Sequence, residues 1–266
     1  MSEKHDYASG YARSHRVYEL AGIFLGSACA IRLGYGLVST GAVSGWWVPL
    51  TVFAGLLGAD FVSGVVHWLF DTWGSVDTPV VGQLAIRTFR EHHVDARAMT
   101  RHDFVETNGH NITLSMLPSI TGLLALQHHS LAGTLVAMSG FFMALCVSMT
   151  SQIHKWAHKA DGVPRVVRKM QDLGLIIGAR HHDRHHVKPH DSHYCITVGW
   201  MNGPLEFVHF FRILERAITA VTGVQPREED IVATADVPAT PVVDGEPDVA
   251  PREALPSEVA APVDAG

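Results

Sequence analysis

Charge is what this chain of 266 residues has least of. Only 17% of its residues are Asp, Glu, Lys or Arg, against about 25% in ordinary soluble domains. The charge present is also uneven. Residues 226–266 hold 10 acidic and 2 basic side chains, 7 of the 13 prolines and no aromatic residue. Such a segment lacks the apolar surface to offset its ordering entropy and is expected to be disordered. The rest carries 16 acids and 18 bases, so the formal net charge of -6 belongs to the tail. No concentrated basic surface remains, which excludes a nucleic-acid binder. Cysteine is scarce too: Cys29, Cys146 and Cys195 are far apart and form no C-x-x-C pair. A disulfide framework and a thiolate metal site are both excluded on that ground. No G-x-G-x-x-G run and no P-loop occurs, so any redox chemistry would draw electrons from a separate protein. No apolar stretch with a small-residue cleavage site opens the chain, and no removable signal peptide is expected.

Long apolar runs are abundant instead. Four of them, at about 17–38, 46–70, 112–126 and 131–150, approach the roughly 20 residues of a spanning helix. The links Gly41–Gly45 and Gln127–Ser130 are short and uncharged, which predicts two tight helical hairpins. Between the hairpins, Asp71–Asn111 carries Arg87, Arg90, Arg97 and Arg101. After the second come Lys155, Lys159, Arg165, Arg168 and Lys169. The positive-inside rule puts both stretches and the N-terminus in the cytoplasm, with His128 and His129 on the opposite face. Trp46, Trp47, Trp68 and Trp73 are expected at the ends of the second span, where indoles favour the interface. Leu205–Val221 has one apolar face and reads as an amphipathic helix, lying on the membrane or packed on the cytoplasmic part. The expected fold is all-α: an integral membrane four-helix bundle with a cytoplasmic histidine-rich helical cap holding a di-metal centre. The expected organisation is a polar N-terminal segment (1–16), a membrane domain (17–223) and the acidic tail (224–266).

Histidine is the anomaly, with 18 residues. Four clusters stand out: His67–Asp71 (HWLFD), His92–Asp95 (HHVD), His154–His158 (HKWAH) and His181–His186 (HHDRHH). Helical side chains at i and i+4 share a face. His67 and Asp71 are therefore predicted to converge, as are His154 and His158, His181 and His185, and His182 and His186. The topology brings all four clusters to one side of the membrane. A single ion takes three or four protein ligands; eight or more candidates suit two ions. Imidazole without thiolate fits iron, copper or zinc. Two irons sharing about eight nitrogen ligands would suit an oxidase that attacks C–H bonds. His5 and His15 read as solvated, His128 and His129 as headgroup neighbours, and His190, His193 and His209 as structural.

The runs HWLFDTWGS (His67–Ser75), FREHHVDARAMTRHDFVETNGHN (Phe89–Asn111), QIHKWAH (Gln152–His158), HHDRHH and YCITVGWMN (Tyr194–Asn202) resemble the plasmanylethanolamine desaturase family of lipid desaturases, in particular its bacterial CarF-like members. The resemblance covers about residues 54–212 and is closer to the ether-lipid branch than to the plant plastid branch. It implies a membrane enzyme with two histidine-ligated iron ions and dioxygen as co-substrate. The implied ligands are His67, His92, His93, His154, His158, His181, His182, His185 and His186. Asp71, Asp95, His110 and Asn111 are implied as further ligands or as groups orienting a ligand. The implied reaction converts the 1-O-alkyl chain of plasmanylethanolamine to the vinyl ether of plasmenylethanolamine. The implied partners are the ether phospholipid, the membrane and an external electron donor, either cytochrome b5-like or ferredoxin-type with its reductase. The implied location is a bacterial inner membrane, with both termini and the metal site cytoplasmic. A role in light or singlet-oxygen signalling is compatible, because the lipid product could be the signal. The alternatives are an acyl-lipid desaturase or hydroxylase acting on ordinary phospholipid, and a non-catalytic membrane metal sensor.

Overall fold

A computed structural model describes residues 11–227. The readings of His5, of the first ten residues of the N-terminal segment and of the tail from residue 228 onward lie outside the described residues. Among those described, every regular element is helical. Two long helices, α1 (Arg13–Ser39) and α2 (Val48–Thr72), precede the short α3 (Arg87–Val94) and α4 (Ala98–Arg101). The helices α5 (Phe104–Leu114) and α6 (Met116–Leu126) then lead into α7 (Leu131–Ala157). Four shorter helices follow: α8 (Arg165–Asp172), α9 (Ala179–His182), α10 (Asn202–Phe207) and α11 (Phe210–Thr222).

Three of these, α1, α2 and α7, are long and apolar enough to cross a membrane. Their starts follow from local chemistry. Pro49 sits in the first turn of α2, where its missing N–H costs nothing. Ser130 caps α7 by accepting from Gly133 N at 3.0 Å. The run expected as a span at 112–126 is not one helix. It begins earlier, at Phe104, where the Asp103 side chain accepts from Glu106 N at 3.0 Å, and it is interrupted at Ser115 between α5 and α6. The cause is Pro118, which has no N–H for the carbonyl of Leu114 and whose ring crowds that carbonyl. Among the described residues there are therefore three continuous long helices and one apolar run broken in two.

The hairpins also differ from expectation. α6 and α7 pack together closely, as a hairpin should. α1 packs chiefly on α5 and α6 rather than on α2, and α2 packs on α7. Small residues decide this, since helices in lipid gain most from close van der Waals approach. A Cβ at Gly26 of α1 would run into the Ile112 carbonyl, and one at Gly55 of α2 into the backbone of α7 at Phe142 and Met143. α7 thus lies at the centre, touching α1, α2, α5 and α6.

The stretch Leu205–Val221 forms two helices instead of one. The chain breaks at His209, which adopts φ +51°. α11 lies on the histidine end of the molecule. Its Phe211 packs with Trp68 and Tyr194, and its Glu215 carboxylate accepts from Trp68 Nε1 at 2.9 Å. Trp68 is therefore buried rather than interfacial, whereas Trp46 is exposed.

Candidate metal centre

The centre is built on one stripe of α2, formed by Asp60, Ser63, Gly64, His67 and Asp71. The segment 194–201 lies flat against it. Asp60, with no exposed surface, accepts four backbone N–H groups from this segment. Its Oδ1 takes those of Thr197 (3.2 Å), Val198 (2.9 Å) and Gly199 (2.8 Å), and its Oδ2 that of Met201 (2.9 Å). Ser63 Oγ accepts from Ile196 N at 3.0 Å. A Cβ at Gly64 would collide with the Cys195 sulfur, so a side chain there would lift the segment away. Pinned in this way, the segment presents the Tyr194 carbonyl to His67 Nδ1 at 3.1 Å. Just upstream, the Ser192 carbonyl faces His185 Nδ1 at 2.8 Å. A carbonyl accepts only from a protonated nitrogen, so in both rings Nδ1–H donates, which in the neutral ring leaves the Nε2 lone pair free. That tautomer is the one a metal requires.

Around those lone pairs the first group forms: His67, Asp71, His93 and His185. Asp71 Oδ2 lies 3.3 Å from His67 Nε2 and 3.4 Å from the Nε2 atoms of both His93 and His185. Neither buried carboxylate oxygen accepts a hydrogen bond. Arg90, donating to the Asp71 backbone carbonyl at 2.8 Å, ties α3 to the end of α2.

The second group is His92, His154, His158, His182 and His186. The Nε2 atoms of His154 and His182 lie 2.7 Å apart, those of His182 and His186 3.0 Å, and those of His154 and His158 3.2 Å. Both ring nitrogens of His92 and Nδ1 of His182 are buried without a hydrogen-bond partner. Burial, reinforced by the neighbouring imidazoles, holds His92 and His182 well below the usual histidine pKa. Burial likewise pushes His158 down to about 4. His92, His158 and His182 are therefore neutral at pH 7, with lone pairs to give.

Within each group the ligand atoms lie within 4.8 Å of one another. Two imidazole nitrogens bound at about 2.1 Å and at right angles around one ion lie about 3.0 Å apart. The donors therefore fit a metal ion in each group. In the second group no acid lies among the converging imidazoles, and a cation is the partner that all five rings could share. The groups abut, with the His182 and His185 rings 5.7 Å apart.

Eight of the nine histidines expected as ligands are thus gathered, together with Asp71. His181 is not among them. Its Nε2 lies 3.4 Å from Asn202 Nδ2, and its ring faces His193 at 5.8 Å. The helical register that predicted a His181/His185 pair ends with α9, and the chain continues in tight turns, with His185 N donating to the His182 carbonyl. Neither group contains Asp95, His110 or Asn111. Asp95 is paired with Arg101 at 2.7 Å on the surface. His110 sits between α5 and α1, 3.7 Å from Glu19. Asn111 donates to Ser151 Oγ at 2.9 Å. His190, read as structural, lies closer than expected, with its ring 4.6 Å from that of His93. The residue the sequence reading missed is Asp60. Its signal was present: a carboxylate deep in an apolar span is costly unless it serves something, and it stands seven residues, two turns, before His67.

The fold and the site together define a helical membrane protein equipped to hold metal at one end. Residues 56–229 match the lipid desaturase domain family, and the chain belongs to that family. It is 46% identical over 228 residues to plasmanylethanolamine desaturase of Myxococcus xanthus, covering 86% of this chain and 80% of that one. It is 42% identical over 234 residues to plasmanylethanolamine desaturase 1 of Mus musculus, covering 85% of each. It is also 31% identical over 235 residues to the chloroplastic fatty acid desaturase 4-like 1 of Arabidopsis thaliana, covering 85% of this chain and 74% of that one. No solved structure matches the chain.

Proposed function

We propose that the protein is an oxygen-dependent desaturase of plasmanylethanolamine. It removes one hydrogen from each of the two alkyl carbons nearest the ether oxygen, leaving the vinyl ether of plasmenylethanolamine. Dioxygen is the oxidant, and two electrons and two protons from an external donor complete its reduction to two waters. The observation that carries the reading is the pair of abutting groups, eight imidazoles and one carboxylate, at one end of apolar helices. The higher identity to the two plasmanylethanolamine desaturases than to the plastid relative favours the ether lipid over an acyl chain.

The first group would hold one iron through His67, His93, His185 and Asp71, and the second another through His92, His154, His158, His182 and His186. Bound iron would supply the one-electron chemistry with dioxygen that hydrogen removal from an unactivated carbon needs. The protein's own part is to keep the imidazoles neutral, dry and aimed. The carbonyls of Tyr194 and Ser192 set two of the tautomers, and Asp60 fixes the segment that carries the first. Arg87, Arg97, Lys155, Arg165 and Arg168 stand at the histidine end, and the positive-inside rule turns that end to the cytoplasm of a bacterial inner membrane. There an electron donor of the cytochrome b5 or ferredoxin type can reach it.

The test is lipid analysis of a host without vinyl ethers that expresses the chain and is fed 1-O-alkyl lipid, with metal content measured on purified protein. Vinyl-ether phosphatidylethanolamine and two irons per chain are expected. A double bond appearing in an acyl chain instead would replace the ether reading with the acyl one. No desaturated lipid from metal-loaded protein would end both.

A further inference from the structure

α2 and α5 both pack on α7, and between them a cleft runs along α7. At one end it reaches His154 of the second histidine group; at the other it reaches Ala59 and Val147. Seven residues of α7 separate His154 from Val147, a length of about 10 Å. The walls are apolar, with Val62 and Val66 from α2 and Leu114 from α5. Ser63 and Thr150 also line it, but their hydroxyls are spent on the protein. Ser63 donates to the Asp60 carbonyl and accepts from Ile196 N; Thr150 bonds Cys146 O and Thr197 Oγ1. One hydroxyl differs. Ser151, three residues before His154, accepts from Asn111 Nδ2 and keeps its proton to donate.

We propose that this cleft seats the hydrocarbon chain of the lipid substrate, with the chain's oxygen-linked end beside His154 and Ser151 donating to the linking oxygen. The assignment rests on the desaturase reading above and deepens it. A hydrocarbon leaving the bilayer for valine and leucine walls crosses no polar barrier. An ether oxygen has lone pairs and no proton, so only a donor can recognise it. Ser151 is placed to be that donor, within one helical turn of a candidate ligand. The polar call on the lipid is thereby confined to the end where the reaction occurs.

The length of the cleft carries a second consequence. One leaflet of hydrocarbon is about 15 Å deep, against about 10 Å of cleft. The cleft, about 60 Å³ in free volume, lines the part of the chain near the oxygen and leaves the far end in the bilayer. The protein should therefore tolerate chains of different length and reject branching close to the oxygen.

The experiment uses full-length protein in nanodiscs with two photoreactive lipids. One is a 1-O-alkyl phosphatidylethanolamine carrying a diazirine in the first half of its alkyl chain; the other is its ester-linked counterpart. Peptide mapping after irradiation is expected to find label on α7 around Val147 and on α5 around Leu114. Val147→Trp, and independently Leu114→Phe on the facing helix, should each cut cleft labelling severalfold while metal content stays at the wild-type level. Ser151→Ala should keep the label but slow vinyl-ether formation about tenfold, the worth of one hydrogen bond. Label confined to the outward faces of the helices, or unchanged by both bulky variants, would overturn the proposal. Labelled clefts with no desaturated product would leave the seat standing and remove the desaturase reading. Product formed without cleft label would do the reverse.

Discussion

The two histidine groups are chemically unequal. In the group of His67, Asp71, His93 and His185, a carboxylate lies among three imidazoles, and two rings are held from behind by backbone carbonyls. The group of His92, His154, His158, His182 and His186 has five imidazoles and no carboxylate, and three of its buried ring nitrogens have no protein partner. The first is preorganised by the fold. The second is an array of facing ring nitrogens that a cation would hold together. A metal in the first group would be partly neutralised by Asp71, whereas one in the second would keep its full charge. The two ions would therefore differ in redox behaviour even if they are the same element.

The largest effects should come from breaking either group. His182→Ala or His154→Ala is expected to reduce vinyl-ether formation below about one per cent. That loss exceeds the roughly 10–100-fold typical of residues that merely orient a ligand. Asp71→Ala should be as damaging to activity and should also separate the groups. Metal content is expected to fall from two ions to one per chain, and a drop to zero would show that the groups are not independent. Asp60→Asn tests the preorganisation of the first group from a distance. It keeps one acceptor oxygen for three of the four N–H groups and should cost about 10–100-fold in activity, with metal still bound at saturation. An activity equal to wild type would show that the loop does not aim His67. Asp60→Ala should instead fail to accumulate, since each buried donor left unpaired costs about 1–3 kcal/mol.

Small effects bound the comparison. His128→Ala and His129→Ala should be silent, because the length of α7 sets them roughly 37 Å from His154. Loss of activity in either, with normal abundance, would refute the sidedness of the site. The smallest effect is expected from a stop codon after Arg227. The residues removed contain no histidine and no aromatic side chain, so metal content and turnover should stay near wild type. The stop is placed there because Arg227 N still bonds the Thr72 carbonyl at the end of α2.

Where local periodicity rules, residues could be placed from sequence. His67 with Asp71, and His154 with His158, lie on continuous helices, and the i,i+4 rule held for both. Past the end of α9 the rule holds for His182 and His186, whose Nε2 atoms lie 3.0 Å apart, and fails for the other pair. His181 and His185 were paired on paper, but α9 ends at His182 and sends the two rings to different places. The adjacent His92 and His93 fall in different groups; the turn of α3 parts them, but spacing does not say which group each joins. The start of α5 was hidden because Glu106, His110 and Asn111 made its first turns look like loop. Its break was announced only by Pro118.

Composition and pattern were enough to decide that the chain is a helical membrane protein and that its four histidine clusters gather at one end. These follow from solvation and helix period, which act within a segment and can be read along it. Which imidazole faces which, that Asp60 anchors the segment behind His67, and that α1 prefers α5 and α6 over its neighbour α2 were decided by tertiary structure alone. Each depends on contacts between residues far apart in the chain, such as Asp60 with Met201 or Gly26 with Ile112. Such contacts are selected by shape and by the need of buried polar groups for partners, and neither requirement is written in any one stretch of sequence.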